Sequence, residues 1–148
     1  MTHFKAIDLS DIPMIVDLMA DFYQIDGYPI DRTLSTTNFE YFINKTDLGR
    51  AWLIYHDEEI VGYVMIAFMF SFEYGGRIAF LDELYLNENA RGRGLGKKAV
   101  AFIQSQAQKL ELKLLYLEIE KHNATAQKLY IAAGFEVHNR NIMRYKIN

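Results

Sequence analysis

The stretch Arg91-Gly92-Arg93-Gly94-Leu95-Gly96-Lys97-Lys98 alternates glycines with basic side chains and opens a run of helical periodicity. Glycine lets the backbone adopt positive φ angles and approach a ligand closely. The first N–H groups of a helix have no intrahelical partner, and the helix dipole adds positive potential at the same end. With four cations beside them, these groups predict a site for a pyrophosphate. The alternative is a tight, solvated turn whose glycines only relieve crowding.

Upstream of this turn, apolar residues recur with periods of 2.0 and 3.6 residues, which predict four strands and two helices. The predicted strands are residues 3–7, 51–55, 60–70 and 78–86. An amphipathic helix containing Pro13 ends before Asp26-Gly27-Tyr28-Pro29, and a second helix lies within residues 36–45. The last three strands form an antiparallel meander, and the nearly continuous apolar run 60–70 predicts burial on both faces.

Downstream, the pattern predicts a helix with its apolar face between Leu95 and Leu110, and then a strand parallel to residues 78–86. That strand is residues 113–119, and a helix over 125–133 follows, stopped by Gly134. Residues 135–138 and 142–147 are predicted to close the sheet as a hairpin. The prediction is one α/β (α+β) domain over residues 1–148, with a mostly antiparallel sheet, one parallel pair and about four helices.

Composition narrows the function. The chain has 148 residues, 51% of them hydrophobic, which supports one packed domain. Its net charge of −3 argues against broad nucleic-acid binding, and the absence of cysteine excludes disulfides and thiolate nucleophiles. The histidines lack metal-ligand spacing, so no metal is expected. With no signal-peptide pattern and no apolar run of bilayer length, we expect a cytoplasmic protein without a membrane partner.

Two other phosphate-binding motifs fit the turn less well. A P-loop would need Gly at position 91 and Ser or Thr at position 98, where the chain has Arg and Lys. Gly94-x-Gly96-x-x-Ala99 loosely fits the dinucleotide fingerprint. That fingerprint follows its strand at once in a doubly wound domain, whereas a long polar loop intervenes here. A dinucleotide-dependent oxidoreductase is therefore the weaker alternative.

Arg91-x-x-Gly94-x-Gly96 resembles the acetyl-CoA signature of the GNAT superfamily of N-acetyltransferases, Gln/Arg-x-x-Gly-x-Gly/Ala. Leu81-Asp82-Glu83-Leu84-Tyr85-Leu86 resembles the family's fourth strand. Asn123-Ala124-Thr125-Ala126-Gln127-Lys128-Leu129-Tyr130, followed by Gly134-Phe135, resembles its Asn-x-x-Ala-x-x-x-Tyr…Gly-Phe segment. The two motifs occur in the family's order, and the residue-level resemblance covers the second half of the chain.

The resemblance implies an acetyl-CoA-dependent N-acetyltransferase whose central parallel strands splay apart. Pantetheine would enter the gap and pair with the backbone of the first strand, and pyrophosphate would bind the glycine-rich turn. The implied cofactor-binding residues are Leu84, Tyr85, Leu86, Arg91, Gly92, Arg93, Gly94, Leu95, Gly96, Lys97 and Asn123. For Asn123 the alternative is an ordinary helix cap.

Three residues are candidates for catalysis. By resemblance, Tyr130 is the general acid that protonates the CoA thiolate; the alternative is a tyrosine that only packs on its helix. Asp82 and Glu83 are carboxylates in an apolar strand, able to attract a cationic amine and take its proton. Alternation predicts that they point to opposite faces, so that only one meets the substrate. Alternatively, each pairs with Arg77 or Lys113.

The predicted reaction is direct attack of a primary amine on the thioester in a ternary complex. A small cationic amine is favoured, because Leu-Asp-Glu-Leu-Tyr-Leu also resembles the diamine acetyltransferase branch, whose acidic residues face a polyamine. A peptide amine and a homodimer stay open. Residues 22–29 are expected to shape the acceptor side. The alternative from another class is a non-catalytic acyl-CoA-binding or sensing domain on the same scaffold.

Overall fold

Five strands form one sheet: β1 (Thr2–Ala6), β2 (Gly49–His56), β3 (Glu59–Ser71), β4 (Gly76–Leu86) and β5 (Leu115–Tyr116). They are adjacent in this order; β1 to β4 pair antiparallel, and β4 pairs with β5 in parallel. The computed structural model describes all 148 residues in two compact units, Met1–Glu118 and Ile119–Asn148, and the sheet belongs to the first.

The first unit has three helices, α1 (Ile12–Ile25), α2 (Arg32–Ile43) and α3 (Leu95–Lys109), and the second unit has α4 (Ala124–Ala132). Pro13 lies in the first turn of α1, where its missing N–H is not needed. The Asp31 carboxylate caps α2 by accepting from the Leu34 N–H at 3.0 Å. None of the helices combines the length and apolar character needed to cross a membrane.

Helices cover both faces of the sheet. On one face, residues of α1 and α2 pack with Leu53, Tyr63 and Tyr85 in one buried cluster. On the other, Phe102 of α3 stacks on Phe4 at 4.1 Å and meets Trp52 edge-on at 5.2 Å between ring centroids. Each fully buried large apolar side chain stabilises the fold by roughly 1.5–3 kcal/mol, so these two layers hold the sheet in place.

β4 carries a β-bulge. Met65 of β3 pairs with Glu83 and the next residue, Ile66, pairs with Leu81, so Asp82 is inserted without a partner. The parallel pairing of β4 with β5 ends at Phe80 and Tyr116, just before the bulge. From there to Leu86, β4 keeps β3 as a neighbour on one edge only, and its other edge separates from β5. This is the splayed arrangement that the resemblance implies.

The predicted fold class is confirmed: the structure has a mostly antiparallel sheet, one splayed parallel pair and four helices. The predicted C-terminal hairpin is wrong, since residues 135–148 contain no strand. Their alternating apolar pattern favours strands, but a strand also needs a partner, and side chains such as Met143 and Tyr145 are exposed. The strand predicted at 113–119 is reduced to β5, because pairing stops before the bulge.

The prediction that residues 60–70 are buried on both faces is correct for residues 61–64 and wrong at the end of the run. Met69 and Phe70 are exposed. β2 begins at Gly49, opposite Ala67, so the last residues of β3 extend past β2 and pair with β4 alone.

Gly62 allows β3 to approach β4 closely, and we predict that Gly62→Ala destabilises the fold. A Cβ at this position would lie 1.9 Å from the Tyr85 carbonyl oxygen. The strands would have to separate, and we expect a loss of about 3 kcal/mol in the free energy of unfolding, measured by urea denaturation. Gly75→Ala is the control, because its Cβ meets no atom within 4 Å and only its φ of 83° is strained. That control should lose about 1 kcal/mol; equal losses would contradict the close approach.

Candidate active site

Glu83 is the half-buried carboxylate of β4, and two tyrosines hold it. The Tyr23 hydroxyl, from α1, donates to Glu83 Oε2 at 2.5 Å, and the Tyr63 hydroxyl, from β3, donates to Glu83 Oε1 at 2.6 Å. Tyr63 is completely buried, whereas Tyr23 keeps part of its surface exposed. Both carboxylate oxygens are thus anchored by neutral donors rather than by a cation.

The bulge determines which way β4 presents these groups. Leu81, before the bulge, pairs with Ile66 on the α3 face, whereas Glu83 lies with Tyr63 on the α1 face. Without the bulge, with Asp82 as an ordinary paired residue of the strand, alternation would put Glu83 on the same face as Leu81. The bulge therefore interrupts the alternation between Leu81 and Glu83, and the opposite orientation of Asp82 and Glu83 stays a prediction.

The same insertion sets the direction of the backbone groups. Asn87 N–H donates to Val61 O of β3 at 2.8 Å. Since neighbouring residues of a strand point their N–H and C=O groups to opposite edges, those of Leu84 and Leu86 point to the edge that β5 has left. These are the two residues for which the resemblance implied main-chain pairing with pantetheine.

The surroundings of Glu83 raise the pKa of its carboxyl group. Burial raises the pKa of the Glu83 carboxyl and the charge of Asp82 raises it further, while the hydrogen bonds from Tyr23 and Tyr63 act in the opposite direction. Asp82 is exposed on the bulge, and its pKa is raised by partial desolvation and then by the like charge of Glu118. Desolvation also raises the pKa of both tyrosines, so they stay protonated as donors.

The glycine-rich turn forms the start of α3. Gly92 and Gly94 have φ of 78° and 73°, and Gly94 occupies the N-cap position. The Lys98 N–H donates to Gly94 O at 3.2 Å, so the N–H groups before it, from residues 95–97, lie in the first helical turn without an intrahelical acceptor. Arg91 Nε donates to Leu86 O at 3.1 Å, which ties the turn to the end of β4.

Crowding does not explain these glycines. A Cβ at Gly92 or Gly94 would meet no protein atom within 4 Å. What favours glycine is the left-handed backbone, and the space in front of it is open. An open, cationic turn with outward N–H groups can hold an anion such as a pyrophosphate.

A cleft of about 250 Å³ lies beside the site. Its lining residues are Asp21, Gln24, Ile25, Tyr85, Glu88 and Arg91. Tyr85 is two residues from Glu83 on the same strand and stacks on Phe22 of α1 at 5.2 Å. Part of the segment expected to shape the acceptor side, residues 24 and 25, therefore does line a cleft.

In the second unit, Asn123 caps α4, since its Oδ1 accepts from the Ala126 N–H at 3.0 Å. The Tyr130 ring meets Phe135 edge-on at 5.6 Å, and burial raises the pKa of Tyr130 to about 12. The helix-cap reading of Asn123 is confirmed. A cofactor contact for Asn123 and the general-acid role of Tyr130 stay predictions.

Residues 12–135 match the sequence pattern described as the Acetyltransferase (GNAT) family. The chain belongs to the GNAT family. The family resemblance read from the two motifs is thereby confirmed. The dinucleotide-dependent oxidoreductase loses its support, because the GNAT sheet seen here is mostly antiparallel rather than doubly wound and parallel.

Individual relatives are similar over different spans. Spermine/spermidine N(1)-acetyltransferase of Bacillus subtilis is 33% identical over 87 residues, which are 56% of this GNAT chain and 57% of that protein. The D-amino-acid N-acetyltransferase of Saccharomyces cerevisiae is 24% identical over 134 residues, 89% of this chain and 83% of that one. An integron cassette protein from the mobile metagenome of Cole Harbour Salt Marsh superposes with a TM-score of 0.88 at 32% identity, covering 98% and 90% of the two chains.

The sequence did not reveal Tyr23 and Tyr63 as partners of Glu83. The signal for Tyr63 was present: a tyrosine inside an apolar strand must find a partner for its hydroxyl when buried. Tyr23 lay in the segment assigned to the acceptor side without a role of its own. The ion-pair alternative is wrong for Glu83, since the Arg77 guanidinium lies over the Phe68 ring instead, 4.6 Å from its centroid.

We predict that Tyr63→Phe raises the pKa of Glu83. The hydroxyl stabilises the ionised carboxylate, so its removal favours the protonated form while the buried ring is kept. An NMR titration of the Glu83 side-chain carboxyl carbon measures the change. Tyr74→Phe is the matched control, because the Tyr74 hydroxyl contacts Tyr116 rather than a carboxylate. An unchanged or lowered Glu83 pKa in Tyr63→Phe would contradict the hydrogen bond.

Proposed function

We propose that this GNAT chain is an acetyl-CoA-dependent N-acetyltransferase whose acceptor is a small amine that is cationic at neutral pH. One observation carries the proposal: a half-buried carboxylate, Glu83, is held by two tyrosines on the strand whose next residues present backbone groups to an open edge. That strand continues to the glycine-rich turn, to which Arg91 ties it. A carboxylate suited to proton transfer therefore lies on β4, and a turn suited to binding an anion follows that strand in the chain.

On the cofactor side, family membership supports acetyl-CoA as co-substrate. The backbone of Leu84 and Leu86 would pair with the amide-bearing pantetheine arm, because exposed strand groups need partners. The N–H groups of residues 92–97 and the cations of the turn would hold the pyrophosphate, whereas the Arg91 N–H already donates to Glu88 O. In this arrangement the thioester carbonyl would lie near Glu83, where the open edge begins.

On the acceptor side, the charges favour a cation. Asp82 and Glu83 lie at the bulge, and the lining of the neighbouring cleft adds the carboxylates Asp21 and Glu88 against the single cation Arg91. A polyamine brings only positive charge, whereas an amino acid also brings a carboxylate that these groups repel. The Bacillus relative named for spermine and spermidine therefore supports the proposal more closely than the yeast relative named for D-amino acids. A peptide acceptor and a homodimer stay predictions.

The reaction begins with removal of a proton, since an amine with a pKa near ~10.4 is mostly protonated at neutral pH. Glu83 accepts that proton. The freed nitrogen attacks the thioester carbonyl carbon, the C–S bond breaks, and the sulfur leaves as a thiolate that takes up a proton. Tyr130 is the proposed donor of that proton, and the acetylated nitrogen releases its second proton to solvent, from which Tyr130 is reprotonated. Holding both substrates together supplies much of the rate, and the chain has no cysteine for an acyl-enzyme.

Glu83→Gln tests the base. We expect kcat/KM for spermidine to fall about 10²–10⁴-fold near neutral pH, the usual size of general base catalysis, with affinity for acetyl-CoA retained. Activity should recover as pH rises, because free amine becomes abundant. Glu59→Gln, at the exposed start of β3, is the control of equal charge change. Parent-like turnover by Glu83→Gln would remove Glu83 from the reaction, and a parent protein that turns over no amine would favour the sensing alternative.

Gly94→Asp and Gly94→Asn together test the anion site. Both side chains tolerate the left-handed backbone that Gly94 adopts, so the pair differs mainly in charge. We expect the aspartate variant to bind CoA about 10- to 100-fold more weakly than the asparagine variant, as measured by calorimetry at low salt. Equal affinities would show that the phosphates bind elsewhere.

A further inference from the structure

The two tyrosines that hold Glu83 differ in their access to a substrate. Tyr63 is 0% exposed, inside the cluster beneath α1, so nothing that enters from solvent can reach its hydroxyl. Tyr23 is only half-buried, and the charge of the exposed Asp82 acts on its hydroxyl. Each hydroxyl donates one hydrogen bond to a different oxygen of the same carboxylate. Glu83 is thus contacted by one phenol from the buried core and by the other from a partly exposed position.

We infer that Tyr23 is a proton relay between the acceptor ammonium and Glu83, while Tyr63 is only an anchor for the carboxylate. The inference rests on the proposed acetyltransferase function and adds a residue to it. The ammonium is attracted by Asp82 and donates a hydrogen bond to the Tyr23 oxygen, which still has a free lone pair. The ammonium proton passes to that oxygen as the phenolic proton passes to Glu83 Oε2.

This exchange balances. One N–H bond of the ammonium breaks and one O–H bond forms on Tyr23; the original O–H bond of Tyr23 breaks and one forms on Glu83. The products are a neutral amine, a neutral Tyr23 and a protonated Glu83. Tyr23 never has to exist as a free phenolate, which agrees with the direction of its pKa. The raised pKa of Glu83 likewise suits a carboxylate that must accept a proton.

Hydrogen bonds hold Tyr23 both at its side-chain hydroxyl and at its backbone carbonyl. Its carbonyl accepts from the Tyr28 N–H at 2.9 Å, while Gln24 O accepts from the Gly27 N–H at 3.2 Å. This pair of bonds, with Gly27 at a φ of 70°, is a Schellman motif that ends α1. A relay requires such rigidity, because the donor must stay aligned with Oε2 while the acceptor binds.

The ionisable groups that face Glu83 come from three elements. α1 supplies Tyr23, β3 supplies Tyr63, and β4 supplies Asp82. Glu118 acts in turn on Asp82, and Tyr85 on Tyr63. No cation is among them, so a change in the pH profile of a tyrosine variant reports on the carboxylates and phenols themselves.

The test compares Tyr23→Phe with Tyr63→Phe, because each removes one hydrogen bond from the same carboxylate. Steady-state rates with acetyl-CoA and spermidine are measured across pH, with Tyr74→Phe as the inert control and thermal melting to verify folding. For Tyr23→Phe we expect the plateau of kcat to fall about 10²-fold, a loss typical of a proton-transfer group. For Tyr63→Phe we expect mainly a shift of the ascending limb to higher pH. With trifluoroethylamine, which is largely unprotonated at the plateau pH, the loss in Tyr23→Phe should disappear.

Two results would overturn the relay. If Tyr23→Phe and Tyr63→Phe both shift the limb and keep the same plateau, the tyrosines only adjust the pKa of Glu83. If Tyr23→Phe loses the same factor with spermidine and with trifluoroethylamine, it damages something other than proton removal. In both cases the parent still acetylates amines, so the proposed function stands. A parent that acetylates neither amine would overturn the relay together with the function.

Discussion

The insertion of Asp82 into β4 is the constraint on which the site depends. One extra residue changes which edge and which face the rest of the strand presents. Ahead of it, Ala79 pairs with the β5 side through the Leu114 carbonyl; beyond it, Leu84 and Leu86 turn their backbone groups to an edge that no strand covers. The same shift turns Glu83 toward Tyr63. A bulge thus produces a vacant backbone edge and an inward-facing carboxylate in a single step.

The partial burial of the Glu83 carboxylate lowers the free energy of unfolding when that group is ionised. Its pKa is raised above the ordinary value, so the folded chain binds this proton more tightly than the unfolded chain. The stability gained from the protonated form is therefore present at low pH and is lost as pH rises through the folded-state pKa. The two phenols reduce that loss without neutralising the carboxylate, as an arginine would. Half-burial with neutral donors leaves a carboxylate whose pKa is raised, so it binds a proton more readily than an exposed one.

The sequence predicted best those features that depend on residues adjacent in the chain. The anion turn follows from adjacent glycines and cations before a helix, and those features need no knowledge of distant contacts. The grouping around Glu83 is different, since Tyr23 lies 60 residues away along the chain and Tyr63 lies 20 away. No local pattern links them. Alternation between Leu81 and Glu83 is interrupted by a bulge that has no signature there, and the strands predicted after Gly134 failed because apolar alternation alone supplies no partner.

β4 also fixes the separation of the two halves of the reaction. Glu83 and Leu86 are three residues apart on a strand that rises by ~3.3 Å per residue, so the carboxylate and the carbonyl to which Arg91 ties the turn are separated by roughly 10 Å along the strand. Arg91 closes the turn back onto Leu86, which prevents the anion site from drifting relative to the strand. In the proposed complex, an extended ligand held by its phosphates at the turn would place its other end near Glu83. In the proposed reaction, the packing of β4 between α1 and α3, rather than any single loop, would align the acetyl donor with Glu83.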